Sequence, residues 1–168
     1  MAIPKDIFDN FTPRNPVSWF NIDILVKTLI QDSKTRKISD QREESDAYDM
    51  SYTDLKKDWG SMEEVWIDYI ADTGDGFNET LTTLFKCIGP LQIQEKNLPT
   101  GDFLLCGGDQ VYPFATSDDY ANRFFGPLMA AQHLHGLNSK QKDEETNPPQ
   151  KAKKKYIFAL PGNHDWYG

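Results

Sequence analysis

Three short stretches of this 168-residue chain gather oxygen donors beside glycine: Ala71-Asp72-Thr73-Gly74-Asp75-Gly76, Gly108-Asp109-Gln110-Val111-Tyr112-Pro113 and Pro161-Gly162-Asn163-His164-Asp165. Carboxylates, an amide carbonyl and a phenol are hard ligands, and together they suit a divalent or trivalent cation. Glycine in each stretch leaves room for a backbone turn that a Cβ would obstruct. His164 adds a group that can donate a proton near neutral pH, and Asp165 is a carboxylate able to partner it. The chemistry these residue types support is the binding of such cations, with an imidazole close by. Other readings compete at single positions: Asp72 and Asp75 can each be turn acids, and Tyr112 can pack a core edge. The string Asp72-Thr73-Gly74-Asp75-Gly76 is not an EF-hand loop, because Gly74 stands where that loop needs Asp or Asn.

The elements that must position these turns are short apolar runs. Residues 64–72 (EVWIDYIAD), 102–109 (DFLLCGGD) and 156–165 (YIFALPGNHD) read as buried strands, each breaking into one of the loaded turns. A helix capped by Asn78 is expected after the first, and a helix over 117–137 capped by Ser117 after the second, with Gly126-Pro127 kinking or splitting it. Strands alternating with helices indicate an α/β sheet of βαβ units, whose sites form at the carboxyl ends of the strands. Upstream, Asn15 and Pro16 can open an amphipathic helix with Trp19, Ile22, Leu25, Val26, Leu29 and Ile30 on its packing face. Residues 32–62 read as surface helix and loop, and 138–155 as a flexible polar insertion ending in lysines 153–155.

A formal charge of −8 argues against a general nucleic-acid surface. Cys87 and Cys106 each lie in an apolar segment and read as reduced core thiols, which with the lack of an apolar leader or membrane segment suggests a cytoplasmic protein. His133 and His135, two residues apart on a helix, point to different faces and read as solvated surface residues. Asn78-Glu79-Thr80 matches a glycosylation acceptor but is better explained as a helix cap.

The order of the three turns resembles that of the calcineurin-like metallophosphoesterases: an acidic turn, then Gly108-Asp109, then Gly162-Asn163-His164-Asp165. The resemblance covers about residues 64–168. It implies a metallophosphoesterase-type β-sheet sandwich flanked by helices, a two-metal site and a phosphoester substrate, cleaved as a phosphomonoester or phosphodiester. It further implies that Asp72 ligates the first metal, Asp109 bridges both and Asn163 ligates the second. His164 would contact the phosphate and protonate the leaving oxygen, with Asp165 holding its ring. Where most of the family has Asp-x-His, this chain has Asp72-Thr73-Gly74, so one first-metal ligand needs a replacement. Tyr112, in Gly108-Asp109-x-x-Tyr112, resembles the purple acid phosphatase branch, in which that tyrosine binds ferric ion; this implies iron paired with zinc or manganese. Asp75 is the competing replacement.

The division expected is a helical N-terminal extension over 1–62 and the N-terminal half of a metallophosphoesterase domain over 63–168. The family's later histidine ligands, including a Gly-His-x-His segment, have no counterpart here, so the chain is expected to be a weakly active or inactive fragment. A different class of function, a non-catalytic metal-binding or interaction module with a degenerate site, is the alternative.

Overall fold

The computed structural model describes residues 9–42, 54–143 and 156–166, which form two compact units, residues up to Val17 with Trp66–Trp166 in one and Ser18–Val65 in the other. The expected boundary at residue 62 therefore does not separate the N-terminal segment as a whole. Phe11 is buried in the core of the first unit, where its ring lies 5.8 Å from that of Phe77. Asn122, itself buried, accepts the Thr12 amide proton at 2.6 Å, and Asp75 accepts that of Val17 at 2.9 Å.

The first unit is built on a three-stranded parallel sheet. β1 (Ile67–Ile70) and β5 (Tyr156–Ala159) flank β4 (Phe103–Cys106), in register through Ile70, Cys106 and Ala159. Side chains alternate between faces along a strand, so Ile70, Leu104, Cys106 and Ile157 share one face. That face meets the core contributed by α3 (Phe77–Cys87) and α5 (Gly126–Asp143), which includes Leu81, Leu84, Leu128, Ala131 and Leu134. Leu84 and Leu104 are completely buried, and each such side chain stabilises the fold by about 1.5–3 kcal/mol relative to an exposed one. The opposite face carries Ile67, Tyr69, Phe103, Leu105, Tyr156 and Phe158. Strand β1 is thus buried on one side only, contrary to the expectation of a buried strand: Ile70 is 5% exposed but Tyr69 60%.

Helix boundaries differ from expectation for local reasons. Gly76, not Asn78, is the N-cap of α3, because the Phe77 amide donates to the Arg14 carbonyl and needs no side-chain cap. Thr116, not Ser117, caps α4 (Ser117–Asp119); its hydroxyl accepts from the Asp119 amide and donates to the Asp119 carboxylate at 2.6 Å. A π-helical turn (Tyr120–Phe125) then leads into α5, and the Gly126-Pro127 pair does not split the helix. The Gly126 amide donates to Ala121 rather than to Asn122, so the hydrogen-bond pattern widens just ahead of the residue that cannot donate. α5 runs to Asp143, so the expected insertion begins as helix; its residues 144–155, including lysines 153–155, lie outside the described residues.

A short antiparallel hairpin, β2 (Leu91–Ile93) and β3 (Lys96–Leu98), has no sequence expectation behind it. It turns at Gln94, φ 55°, without the Gly or Asn that usually marks such a turn.

In the second unit, α1 (Ile22–Arg42) begins later than Asn15-Pro16 would predict. The carbonyls of Arg14 and Asn15 and the amide of Val17 are already committed to Phe77, Arg123 and Asp75, and Asn21 caps instead, accepting from the Asp23 amide at 2.9 Å. Ile22 and Leu29 remain 76% and 70% exposed, so the stripe expected to pack is largely solvent-facing. Helix α2 (Lys56–Trp59) is a single turn, and residues 43–53 of the expected surface segment lie outside the described residues. Among the described residues, no helix is long and apolar enough to cross a membrane.

Candidate metal centre

Parallel pairing carries the ends of β1, β4 and β5 to the same edge of the sheet, and the ladder continues into the turns. Gly107 donates to the Ile70 carbonyl, Asp72 to that of Gly108 and Leu160 to that of Cys106, at 2.7–3.1 Å. Asp72 and Asp109 then adopt left-handed conformations, φ 54° and 51°, which turn the chain sharply at the two acids. Aspartate tolerates this region better than most residues do, and unusual backbone there is a common feature of functional turns.

Two glycines let the turns close on one another. A Cβ on Gly74, whose φ is +74°, would lie 2.0 Å from the Gln110 carbonyl oxygen, joining the first turn to the second. A Cβ on Gly162 would lie 2.2 Å from Asp109 Oδ1, joining the third turn to the second. The glycines singled out in the sequence therefore permit close approach between turns as well as the bend within each.

The result is a convergence of acidic oxygens. The Tyr112 hydroxyl lies 3.0 Å from Asp72 Oδ1 and 3.3 Å from Asp109 Oδ2. A phenol has one proton and can donate to only one carboxylate at a time, leaving the other pair of oxygens without a positive partner between them. Burial first, then the Asp72 hydrogen bond and the charges of both aspartates, push the Tyr112 phenol above the ordinary tyrosine range. A cation would relieve this crowding of negative oxygens, and the donors are of the hard type it requires. Tyr112 precedes Pro113 through a cis peptide bond.

His164 adjoins this group. Its ring packs against that of Tyr112, centroids 4.6 Å apart, and its backbone amide donates to Asp109 Oδ1 at 2.9 Å. Its Nδ1 lies 3.1 Å from the Pro113 carbonyl oxygen. A carbonyl only accepts, so the neutral ring carries its proton on Nδ1 and Nε2 is the nitrogen with a lone pair.

Asp165 does not hold that ring. Its carboxylate accepts from the amides of Asp109 and Gly162, both at 2.7 Å, from the Gln110 amide, and from the Tyr120 hydroxyl at 2.7 Å. It ties the third turn to the second, while the Pro113 carbonyl orients the imidazole. Asp75 also departs from expectation: Oδ1 holds the Val17 amide and the backbone carbonyl accepts from Arg123, so it anchors the N-terminal segment instead of joining Tyr112. Asn163 is exposed and is bracketed by the tethered amides of Gly162 and His164, which keep it beside Asp109.

A calcineurin-like phosphoesterase family model matches residues 65–168. The chain belongs to that family. No curated protein and no solved structure matched it.

Several residues that support the three turns had no signal in the sequence. Tyr120 and Gln110 reach partners 40 or more residues away, Gln110 donating through Nε2 to the Leu160 carbonyl at 2.7 Å. Arg123 pairs with Asp119 at 3.0 Å and donates to the carbonyls of Asn15 and Asp75, so it braces the first turn from the π-helical segment. Only the Asp119-Arg123 spacing is legible as a helical i,i+4 pair. His135 is likewise not a solvated surface residue: it stacks on Phe85, centroids 4.2 Å apart, and contacts that residue's carbonyl. Cys87 and Cys106 are thiols, and burial, then the neighbouring Cys87, pushes the Cys106 thiol up to about 11.

Proposed function

We propose that this phosphoesterase-family chain carries part of a two-metal site for hydrolysis of phosphomonoesters or phosphodiesters, with iron paired with zinc or manganese. The observation that carries the reading is the Tyr112 hydroxyl within hydrogen-bond distance of both Asp72 and Asp109, with His164 packed against its ring. In this reading Asp72 and Tyr112 would hold one cation and Asn163 the second, with Asp109 serving both. Bound cations would supply Lewis acidity to the phosphoryl oxygens and the attacking water. His164 keeps Nδ1–H on the Pro113 carbonyl and uses Nε2 toward the substrate, so its imidazolium form delivers the proton to the leaving oxygen. Asp165 holds the turns that carry Asp109 and His164 in place.

The test is hydrolysis of a chromogenic phosphoester by the intact gene product with manganese or iron added. Turnover that requires metal and falls at least a hundredfold in Asp109→Asn and His164→Ala supports the reading. Metal-independent turnover, or none with any metal, rejects it.

A non-catalytic metal-binding or interaction module is the second reading. One observation favours its interaction form: among the described residues, no three His, Cys, Asp or Glu side chains form a group able to hold an ion. An intact gene product that shows neither saturable metal binding nor turnover with any metal would decide for it.

A further inference from the structure

Tyr120 lies on the π-helical turn, outside all three motif turns, and its hydroxyl donates to Asp165 Oδ1 at 2.7 Å. The same carboxylate holds the amides of Asp109, Gln110 and Gly162. One side chain thereby fixes the backbone on both sides of Asp109, since the His164 amide in the same third turn returns to Asp109 Oδ1 at 2.9 Å. The two oxygens divide these partners, Oδ2 taking the amides of Asp109 and Gly162 and Oδ1 that of Gln110. The Tyr120 hydroxyl occupies one of its oxygens and so selects the orientation in which the other meets Asp109 and Gly162.

The phenol has no competing acceptor among its hydrogen bonds. It lines an apolar groove of ≈ 380 Å³ with Phe124, Phe125, Leu128, Ile157 and Leu160. Tyr120 opens the π-helical segment Tyr120–Phe125, and such turns are frequent at functional sites. Arg123 on the same turn donates to the Asp75 carbonyl, so one helical segment contacts both the first turn and the carboxylate that joins the second and third.

From this geometry we infer that Tyr120 is a positioning residue of the cation site, acting through Asp165 on the backbone that presents Asp109 and His164. The inference rests on the proposed function, because it concerns the same cluster of Asp72, Asp109 and Tyr112. Tyr120→Phe removes one oxygen and keeps the ring, so the groove stays filled.

The test is a calorimetric titration of the chain with manganese alone, for wild type, Tyr120→Phe, Asp165→Asn and the double variant, with amide spectra of the metal-free proteins. Tyr120→Phe is expected to weaken manganese binding about five- to tenfold, in keeping with loss of a hydrogen bond to a charged acceptor. It should shift the Asp109, Gln110 and Gly162 amide resonances, and should add nothing in the Asp165→Asn background, because the two act in series. Resonances confined to the groove, with manganese affinity unchanged, would overturn the inference and leave the proposed function standing. Independent, additive losses would overturn it as well. A wild-type chain that binds no manganese would reject the cation reading itself, and the inference with it.

Discussion

Tyr112 is placed where a purely structural tyrosine is hard to explain, with one proton to share between two carboxylates. If iron occupies the site, the phenolate should give a visible charge-transfer band, and Tyr112→Phe should abolish it; an iron-loaded protein without such a band would contradict ligation by this residue. Asp72, Asp109 and Tyr112 were legible as candidates because oxygen donors beside glycine after an apolar run are rare enough to notice. The choice between Tyr112 and Asp75 was not legible, since it depends on the Val17 amide, which lies 58 residues from Asp75 in sequence. Cys106 gives a second prediction at this scale. With the thiol at 1% exposure and pushed up to about 11, only about one molecule in a thousand carries the thiolate at pH 8. Iodoacetamide at that pH should leave Cys106 unmodified in the native protein and label it after denaturation, as read by mass spectrometry.

At the scale of elements, the three turns function as one object because glycine backbones allow them to touch. Gly162→Ala would place a Cβ against Asp109 Oδ1 and the Asp109 amide. It should weaken cation binding by more than tenfold while the sheet core, distant from the turn, keeps the protein folded. Circular dichroism and a manganese titration on the same sample check this, and wild-type affinity in the variant would contradict the close-packing account. The three strands were readable from the apolar runs within 64–72, 102–109 and 156–165, and their order in the sheet was not. Their helices were readable too, but the cap at Thr116 and the π-helical turn were not. Those features depend on hydrogen-bond choices one residue apart, and on a proline whose effect on a helix is set by the local widening of the turn. The hairpin at 91–98 lacked turn chemistry that would announce it.

At the scale of the whole molecule, the first unit joins residues 9–17 to a sheet that begins only at Ile67, through Asn122, Arg123 and Asp75. Such long-range ties leave no local trace, which is why the segment reads as an extension in sequence and as part of the core in structure. Tyr112 and Tyr120 also make a prediction about global stability. Burial and carboxylate partners raise both phenols above the ordinary value near 10, so the folded state retains these protons more strongly than the unfolded chain. Their contribution is fully present below pH 10 and is lost as pH rises through the folded values. Denaturant midpoints should therefore fall above pH 10 in the metal-free protein, less steeply in Tyr120→Phe; equal slopes would contradict the assignment.

The most direct measurement of the central claim is saturable cation binding at the edge where the three strands end. Calorimetry with manganese should give a defined stoichiometry for the wild-type chain, and Asp72→Ala and Asp109→Ala should each reduce the affinity at least tenfold without lowering the helix content. Binding that is unchanged in both variants, or absent in the folded wild type, would contradict the account.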